Sequence, residues 1–450
     1  MSLSDLVLEI NDIGLTVGDG KQTLLTSPAC ALLDGNHIVV GKEAFASSRL
    51  RPLWTNDRFW SRLDQEPLAN PSGRFQTNAD LAHAHLEHIW HELSRPAESR
   101  LVIVIPGTWD PAQMGLLLGI AADLNIPVSG MVDSAVAAGV SLEPDVPHLH
   151  LDLQQGKFVL TELQVGPQLS RSAVFVVCET GLSAIRDAWA DIIADVFVRQ
   201  TRFDPMHVAR TEQQLFNKLD GWLADIEAQG SAALEMDVGE KSYTVQLTGD
   251  QLLPASLSVY PQIVQQIRPR AKGILALSHR LADFPGLKDS LALIAGLELR
   301  WLDENAAARG ALAKTAVYAA DADTQEVTFL TSLPLAADSS GENASVAHDL
   351  LPSHLLYRAR AYPLDQGPLV LGADPKSSDR SITLVGTLDG VSRQHCTVKQ
   401  MNGRTRVEDH SSYGTFVNER AVDGFADLVL GDVIRMGSPG ETAQLIGLSK

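Results

Sequence analysis

Ser392-Arg393-Gln394-His395, followed by Asp409-His410-Ser411-Ser412-Tyr413-Gly414-Thr415-Phe416-Val417-Asn418, is the stretch on which the reading of this chain turns. Gly372 precedes it and Gly431-Asp432 follows it. Around these residues the text runs in short strand-like pieces: PLVLGA, SITLV, CTVKQM, RTRVED, GTFVN, LVLGDVIRM and AQLIGL. The separators DPKSSDR, NGR, HSSYG and GSPGE are rich in turn formers. Strands this short, this closely spaced and without a helical period predict an all-β sandwich. Asn402-Gly403 predicts a hairpin turn, because both residues tolerate positive φ.

A sandwich of this kind binds through loops at one end, held by rigid strands. Phosphate recognition there calls for hydroxyl and backbone donors plus a cation. The order Gly372, SRxH, D-x-S-x-x-GT-x-VN and a late GD resembles the forkhead-associated domain family, over about the last 85 residues. The resemblance implies a protein partner carrying phosphothreonine. It implies that Ser392 contacts the phosphate, with Arg393 as a charged fork and Ser412, or Ser411 beside it, adding a hydroxyl. Thr415 and Asn418 join that set, while Gly372, His395, Asp409 and Gly414 are architectural. Turn chemistry alone accounts equally well for Asp409, Gly414 and Asn418. One position departs from the family: Gly372-Ala373 stands where the family has Gly-Arg. The lost charge-assisted contact is worth about 1.5–3 kcal/mol. Lys376, Arg380 and Arg393 are the candidates to replace it.

The rest of the chain is different in kind. At 450 residues the protein is too long for one ordinary core. Its net charge of -19 falls entirely on the first 355 residues, since the remainder is neutral. An acidic body repels nucleic acid and anionic membrane, so neither is expected as a partner. No apolar run reaches the ~18 residues of a membrane span, and the first residues lack the features of a signal peptide. Three cysteines, far apart, suit a reducing cytoplasm.

Residues 1–335 alternate strand and helix. Leu101-Val-Ile-Val-Ile105 reads as a buried strand ended by Pro106-Gly107. Asp110, Pro111 and Gln113 then predict a capped helix start. A strand near 127–131, a small-residue helix after Val132, and paired strands over 148–163 follow. The segment from Gly273 to Gly286 leads into a helix, and Glu304-Asn-Ala-Ala-Ala-Arg-Gly310-Ala-Leu-Ala follows it.

In that order the segments resemble the actin, sugar-kinase and heat-shock-chaperone ATPase superfamily, over about 300 residues. The resemblance implies two α/β lobes closing on ATP and magnesium. It also implies glycine-rich phosphate turns, at which this chain departs. Glu9 and Asn11 stand where the first turn has aspartate and glycine. Asp152 and Gly156 are kept in the second, but Gln154, Gln155 and Lys157 replace two glycines and a small hydroxyl residue. Ser278-His279 replaces the glycine pair by the adenosine. Side chains there take the room and the backbone freedom that phosphate binding uses. A degenerate, non-hydrolysing fold without ATP or magnesium is therefore expected.

His83, His85, His88 and His91 share a predicted helix whose apolar face is Leu81, Leu86, Ile89, Trp90 and Leu93. A solvated histidine face, not a metal site, is expected. The helical stretch 182–223 is broken at Phe203-Asp204-Pro205. The expected architecture is an actin/chaperone-like domain over 1–335, a linker over 336–362 and the β sandwich over 363–450. The expected function is a cytoplasmic, non-enzymatic scaffold. The alternatives are an active chaperone-like or filament-forming ATPase, and a phosphothreonine reader whose body is a spacer.

Overall fold

A computed structural model describes residues 5–93, 100–142, 146, 148–314, 327, 329–335, 352–357, 360–375, 380–385, 390–401, 404–418, 420–429, 432–437 and 440–446. The chain divides into two compact units, Met1–Ala337 and Asp338–Lys450.

The larger unit is mixed α/β and built on two sheets of one plan. In the first, Asp5–Asn11, Gly14–Gly18 and Thr23–Pro28 form an antiparallel meander. Asp5–Asn11 also pairs in parallel with Arg100–Ile105, which pairs in parallel with Val128–Asp133. In the second, His148–Leu153, Phe158–Val165 and Gln168–Cys178 form the meander. Here His148–Leu153 pairs in parallel with Gly273–Leu277, and that strand with Leu297–Trp301. Strands such as Leu101–Ile105 are buried on both faces, which explains their unbroken apolar text.

Helix boundaries follow local chemistry. Asp110 caps Pro111–Asp123 in a reciprocal capping box with Gln113. Asp133 accepts the N–H groups of Ala135 and Val136 at the start of Ser134–Gly139. The predicted break separates Leu182–Thr201 from Ala209–Gln229. Small residues let Ser134–Gly139 pack closely on Ala306–Leu312: a Cβ on Gly310 would lie 1.8 Å from the Ala137 carbonyl oxygen. Larger side chains, among them Trp189, Phe197, Leu215 and Ile263, fill the core beside the second sheet.

One histidine departs from the expected solvated face. His85 is fully buried, where Nδ1 accepts the Trp60 indole N–H at 3.0 Å and Nε2 lies 2.8 Å from the Ser27 hydroxyl. Leu81 and His85 are one helical turn apart, so both face the core. Burial, reinforced by His88, pushes the His85 imidazole down to about 3 from an ordinary 6.5. The unfolded chain therefore binds a proton that the folded chain refuses, and stability falls as the pH drops from 6.5 towards 3. Between pH 7 and 5 this residue is expected to remove roughly 2 kcal/mol. Urea unfolding of wild type and His85→Gln at both pH values checks this: the wild type should lose more stability on acidification by about that amount. His83 pairs instead with Asp123 at 2.9 Å, and no metal-binding cluster occurs among the described residues.

The smaller unit is a sandwich. One sheet runs Ser381–Thr383, Leu369–Gly372, Cys396–Met401, Arg404–Asp409, Phe425–Leu428. The other runs Arg360–Pro363, His354–Tyr357, Glu441–Ile446, Val433–Met436, Thr415–Val417, Arg420–Ala421. Alternate residues such as Leu371, Val398, Val407, Ile434 and Leu445 meet in the core.

Two expectations change here. Residues 354–357 and 360–362, read as linker, belong to strands of the sandwich, His354–Tyr357 and Arg360–Pro363, because Leu355 and Tyr357 point inward and His354–Tyr357 pairs with both Arg360–Pro363 and Glu441–Ile446. LVLGDVIRM is not one strand: Phe425–Leu428 and Val433–Met436 lie in different sheets. Asp432 accepts the Val429 N–H at 2.8 Å in the turn between them. The Asn402-Gly403 turn, Gly431, Lys376 and linker residues 336–351 lie outside the described residues.

Candidate functional site

At one end of the sandwich, Gly372 closes the strand Leu369–Gly372 against the backbone of Ser392 and Arg393. The Ala373 N–H donates to the Ser392 carbonyl and the Asp374 N–H to that of Arg393, both at 3.0 Å. A Cβ at 372 would sit 2.1 Å from the Arg393 oxygen, so only glycine permits the approach.

His395 ties three segments together. Its backbone N–H donates to the Leu371 carbonyl at 2.7 Å. Its Nδ1 accepts the Ser392 N–H at 3.1 Å, and Nε2 lies 3.2 Å from the Gly414 carbonyl, which it reaches as the donor of the neutral ring. Burial holds this imidazole below its ordinary value, against the pull of the Gly414 carbonyl and Asp409.

The second loop is fixed from within. Asp409 accepts the Ser411 N–H at 3.0 Å and the Thr415 hydroxyl at 2.7 Å. Burial would raise that carboxyl, but the Thr415 and Ser411 bonds outweigh it and hold it low. Ser411 Oγ accepts the Gly414 N–H at 2.8 Å, and Gly414 takes φ 89°. The turn leaves Ser412 and Tyr413 exposed at its crest. Ser412 reaches across to the first loop, donating its N–H to Ser392 Oγ at 3.1 Å. A hydroxyl that accepts there keeps its own proton for a ligand.

Ser392, Arg393, Ser411 and Ser412 thus come together at one loop end. Arg393 is exposed and has no ion-pair partner among the described residues. Arg380 is committed elsewhere, donating to the Gly367 and Pro363 carbonyls, so it does not replace the arginine missing at Ala373. Thr415, placed with the ligand contacts by sequence, is buried and spent on Asp409. Its alternation along Thr415–Val417 turns it into the core. Asn418 has φ 47°, accepts the Val433 N–H and donates to Asp432 at 2.7 Å, so its polar ends shape the next turn.

The larger unit brings a second set together between its two sheets. Glu9, Asn11, Asp152, Gln154 and Ser278 are all buried, although polar. Asn11 Nδ2 donates across to the Leu153 carbonyl at 3.0 Å and to Asp152 at 3.3 Å. Gln154 donates to Thr108 at 3.3 Å, and Gln155 to Asp57 at 3.0 Å. Gly156 is exposed and open on its Cβ side. His279 opens a short 3-10 turn that Ser278 caps.

Two residues to which sequence assigned no role dominate the electrostatics. Arg280 donates to Glu9 at 2.7 Å and lies 3.3 Å from Asp152. Burial would lower its pKa, but Glu9 and Asp152 reverse this and hold the guanidinium firmly protonated. Burial would raise Asp152, yet Arg280 and His150 keep it below its usual range. Asp12 accepts the Gln155 N–H at 2.7 Å, and burial raises it to about 6 against that bond and Lys157. Burial, helped by Arg280, also holds the His279 imidazole below its ordinary pKa. Beside this cluster lies a cavity of about 430 Å³, lined among others by Phe45, Arg49, Arg186 and Phe216.

Residues 369–437 match the family model described as FHA domain. The matched segment contains both loops of the sandwich end, and the smaller unit is accordingly a protein-interaction module. A search of curated proteins finds no match to the chain. No described helix is long and apolar enough to cross a membrane.

Proposed function

We propose that this chain is a non-enzymatic, cytoplasmic scaffold that docks a protein partner through its FHA module, with phosphothreonine peptides as the ligand class. The observation that carries the reading is the pre-organised loop end. His395 and the Ser412–Ser392 bond lock two loops together, while the exposed Arg393 guanidinium stays unpaired among the described residues. Hydroxyl, backbone N–H and cation in one fixed place are what a phosphate needs. Arg393 takes over the charge that Ala373 does not supply.

The larger unit we read as a degenerate member of the actin and chaperone ATPase fold. Its duplicated sheet plan supports this, since in each sheet the first meander strand pairs in parallel with a second strand, and that strand with a third. ATP and magnesium do not fit the residues present. Asn11 spends its side chain on a bond to the second sheet, Gln154 and Gln155 bond Thr108 and Asp57, and Arg280 lies between the two carboxylates. Backbone N–H groups that would face phosphate are partly spent: that of Gln155 goes to Asp12. The expected result is no ATP turnover above background by the purified full chain, unchanged in Asp152→Ala. Steady turnover that disappears in that variant would overturn the reading in favour of an FHA-regulated ATPase.

A further inference from the structure

We infer that Arg280 is a built-in counter-ion that holds the two sheets of the larger unit closed without any ligand, fixing their arrangement within that unit. This deepens the scaffold reading and rests on it.

The argument begins with two carboxylates. Glu9 lies on Asp5–Asn11 and Asp152 on His148–Leu153, the corresponding strands of the two sheets. Both are buried. Facing each other in a region of low dielectric, they would repel. Arg280 belongs to the second sheet's side, following Gly273–Leu277 and the Ser278 cap. Its guanidinium, 11 % exposed, reaches Glu9 of the first sheet at 2.7 Å while staying 3.3 Å from Asp152 and from the Ser278 hydroxyl. One fixed cation is thus shared by acids from both sheets, at the point where a mobile ion would otherwise be needed.

Further bonds cross nearby. Asn11 reaches the Leu153 carbonyl, Asp12 takes the Gln155 N–H, and Gln154 reaches Thr108. Elsewhere, Arg171 of the second sheet pairs at 2.7 Å with the fully buried Asp133 of the first, and also reaches the Gly107 carbonyl. A buried ion pair adds little over its solvated ions, but removing one partner alone leaves an uncompensated charge. Arg280 therefore matters for what its absence would release: two acids pushing the sheets apart.

Hydrogen exchange of the full chain tests this, read on the peptides containing residues 9–12 and 152–157. In wild type these should be protected, and neither MnCl2 nor MgATP should change them. In Arg280→Ala they should exchange roughly tenfold faster or more, as a local opening. Excess MnCl2 should restore protection in that variant only, because two carboxylates then converge on a hard divalent cation. If Arg280→Ala does not fold, Arg280→Ala combined with Glu9→Gln decides: removing one of the repelling charges should rescue folding. Unchanged exchange in a folded Arg280→Ala, tightening of the wild type by MnCl2 or MgATP, or failure of Glu9→Gln to rescue an unfolded variant would overturn the inference. ATP turnover by wild type would refute the scaffold reading separately, leaving the exchange comparison to stand or fall by itself.

Discussion

Gly372→Ala is expected to abolish peptide binding by the sandwich and to destabilise that unit by about 2–4 kcal/mol. The new Cβ would lie 2.1 Å from the Arg393 carbonyl oxygen and 2.9 Å from that of Ser392. Both are backbone atoms, so relief requires the 392–395 loop to move away. That movement breaks the Ala373 and Asp374 N–H bonds to the same two carbonyls. It also pulls His395 from Leu371 and so loosens the second loop, which His395 holds through Gly414. Binding and stability should fall together, unlike the effect of changing a contact residue at the surface. Denaturant unfolding of the smaller unit, set beside peptide titration of the same variant, measures both.

Arg393→Ala is the second large effect, and there stability should hold while affinity falls. The side chain is exposed and supports no described bond, so the sandwich does not depend on it. A contact between guanidinium and phosphate is worth about 1.5–3 kcal/mol, a loss of roughly 10- to 100-fold in affinity. Ser412→Ala removes a neutral hydroxyl and should cost about half as much free energy or less. Its N–H, which makes the bond to Ser392, is backbone and survives the change. Ala373→Arg should strengthen phosphothreonine binding by restoring the missing cation. Titration of the three variants with one phosphothreonine peptide pool gives the order.

Much of the sandwich was legible because its strands are short, alternate cleanly and are separated by turn residues. The resemblance to the forkhead-associated family implied Gly372, His395, Asp409 and Gly414 as architecture, and these residues bond within and between the two loops. What escaped were features set by pairing over long distances. His354–Tyr357 becomes a strand because Glu441–Ile446 lies beside it, nearly ninety residues on, and no local pattern announces that partner. Thr415 looks like a loop hydroxyl in sequence; only the strand's alternation and the reach of Asp409 turn it inward.

In the larger unit the strands and the Asp110 cap were readable from apolar runs and capping chemistry. The chemistry of the cleft was readable only in part. The substituted turns drew attention to Asn11, Gln154 and Gln155, but not to what they would touch. Arg280 lies 271 positions from Glu9, and an ion pair at that separation has no sequence signature. His85 escaped for a simpler reason. Its three histidine neighbours suggested a polar face, whereas Trp60 and Ser27 supply buried partners from elsewhere.

The central claim is that the loop end carrying Ser392, Arg393 and Ser412 is a docking site for phosphorylated partners. Calorimetric titration of the full chain with a phosphothreonine peptide pool, and with the same pool unphosphorylated, tests it most directly. The account predicts binding of the phosphorylated pool, at least tenfold weaker binding of the other, and loss of both in a triple variant lacking the Ser392, Arg393 and Ser412 side chains. Equal affinity for the two pools, or full affinity in the triple variant, would contradict it.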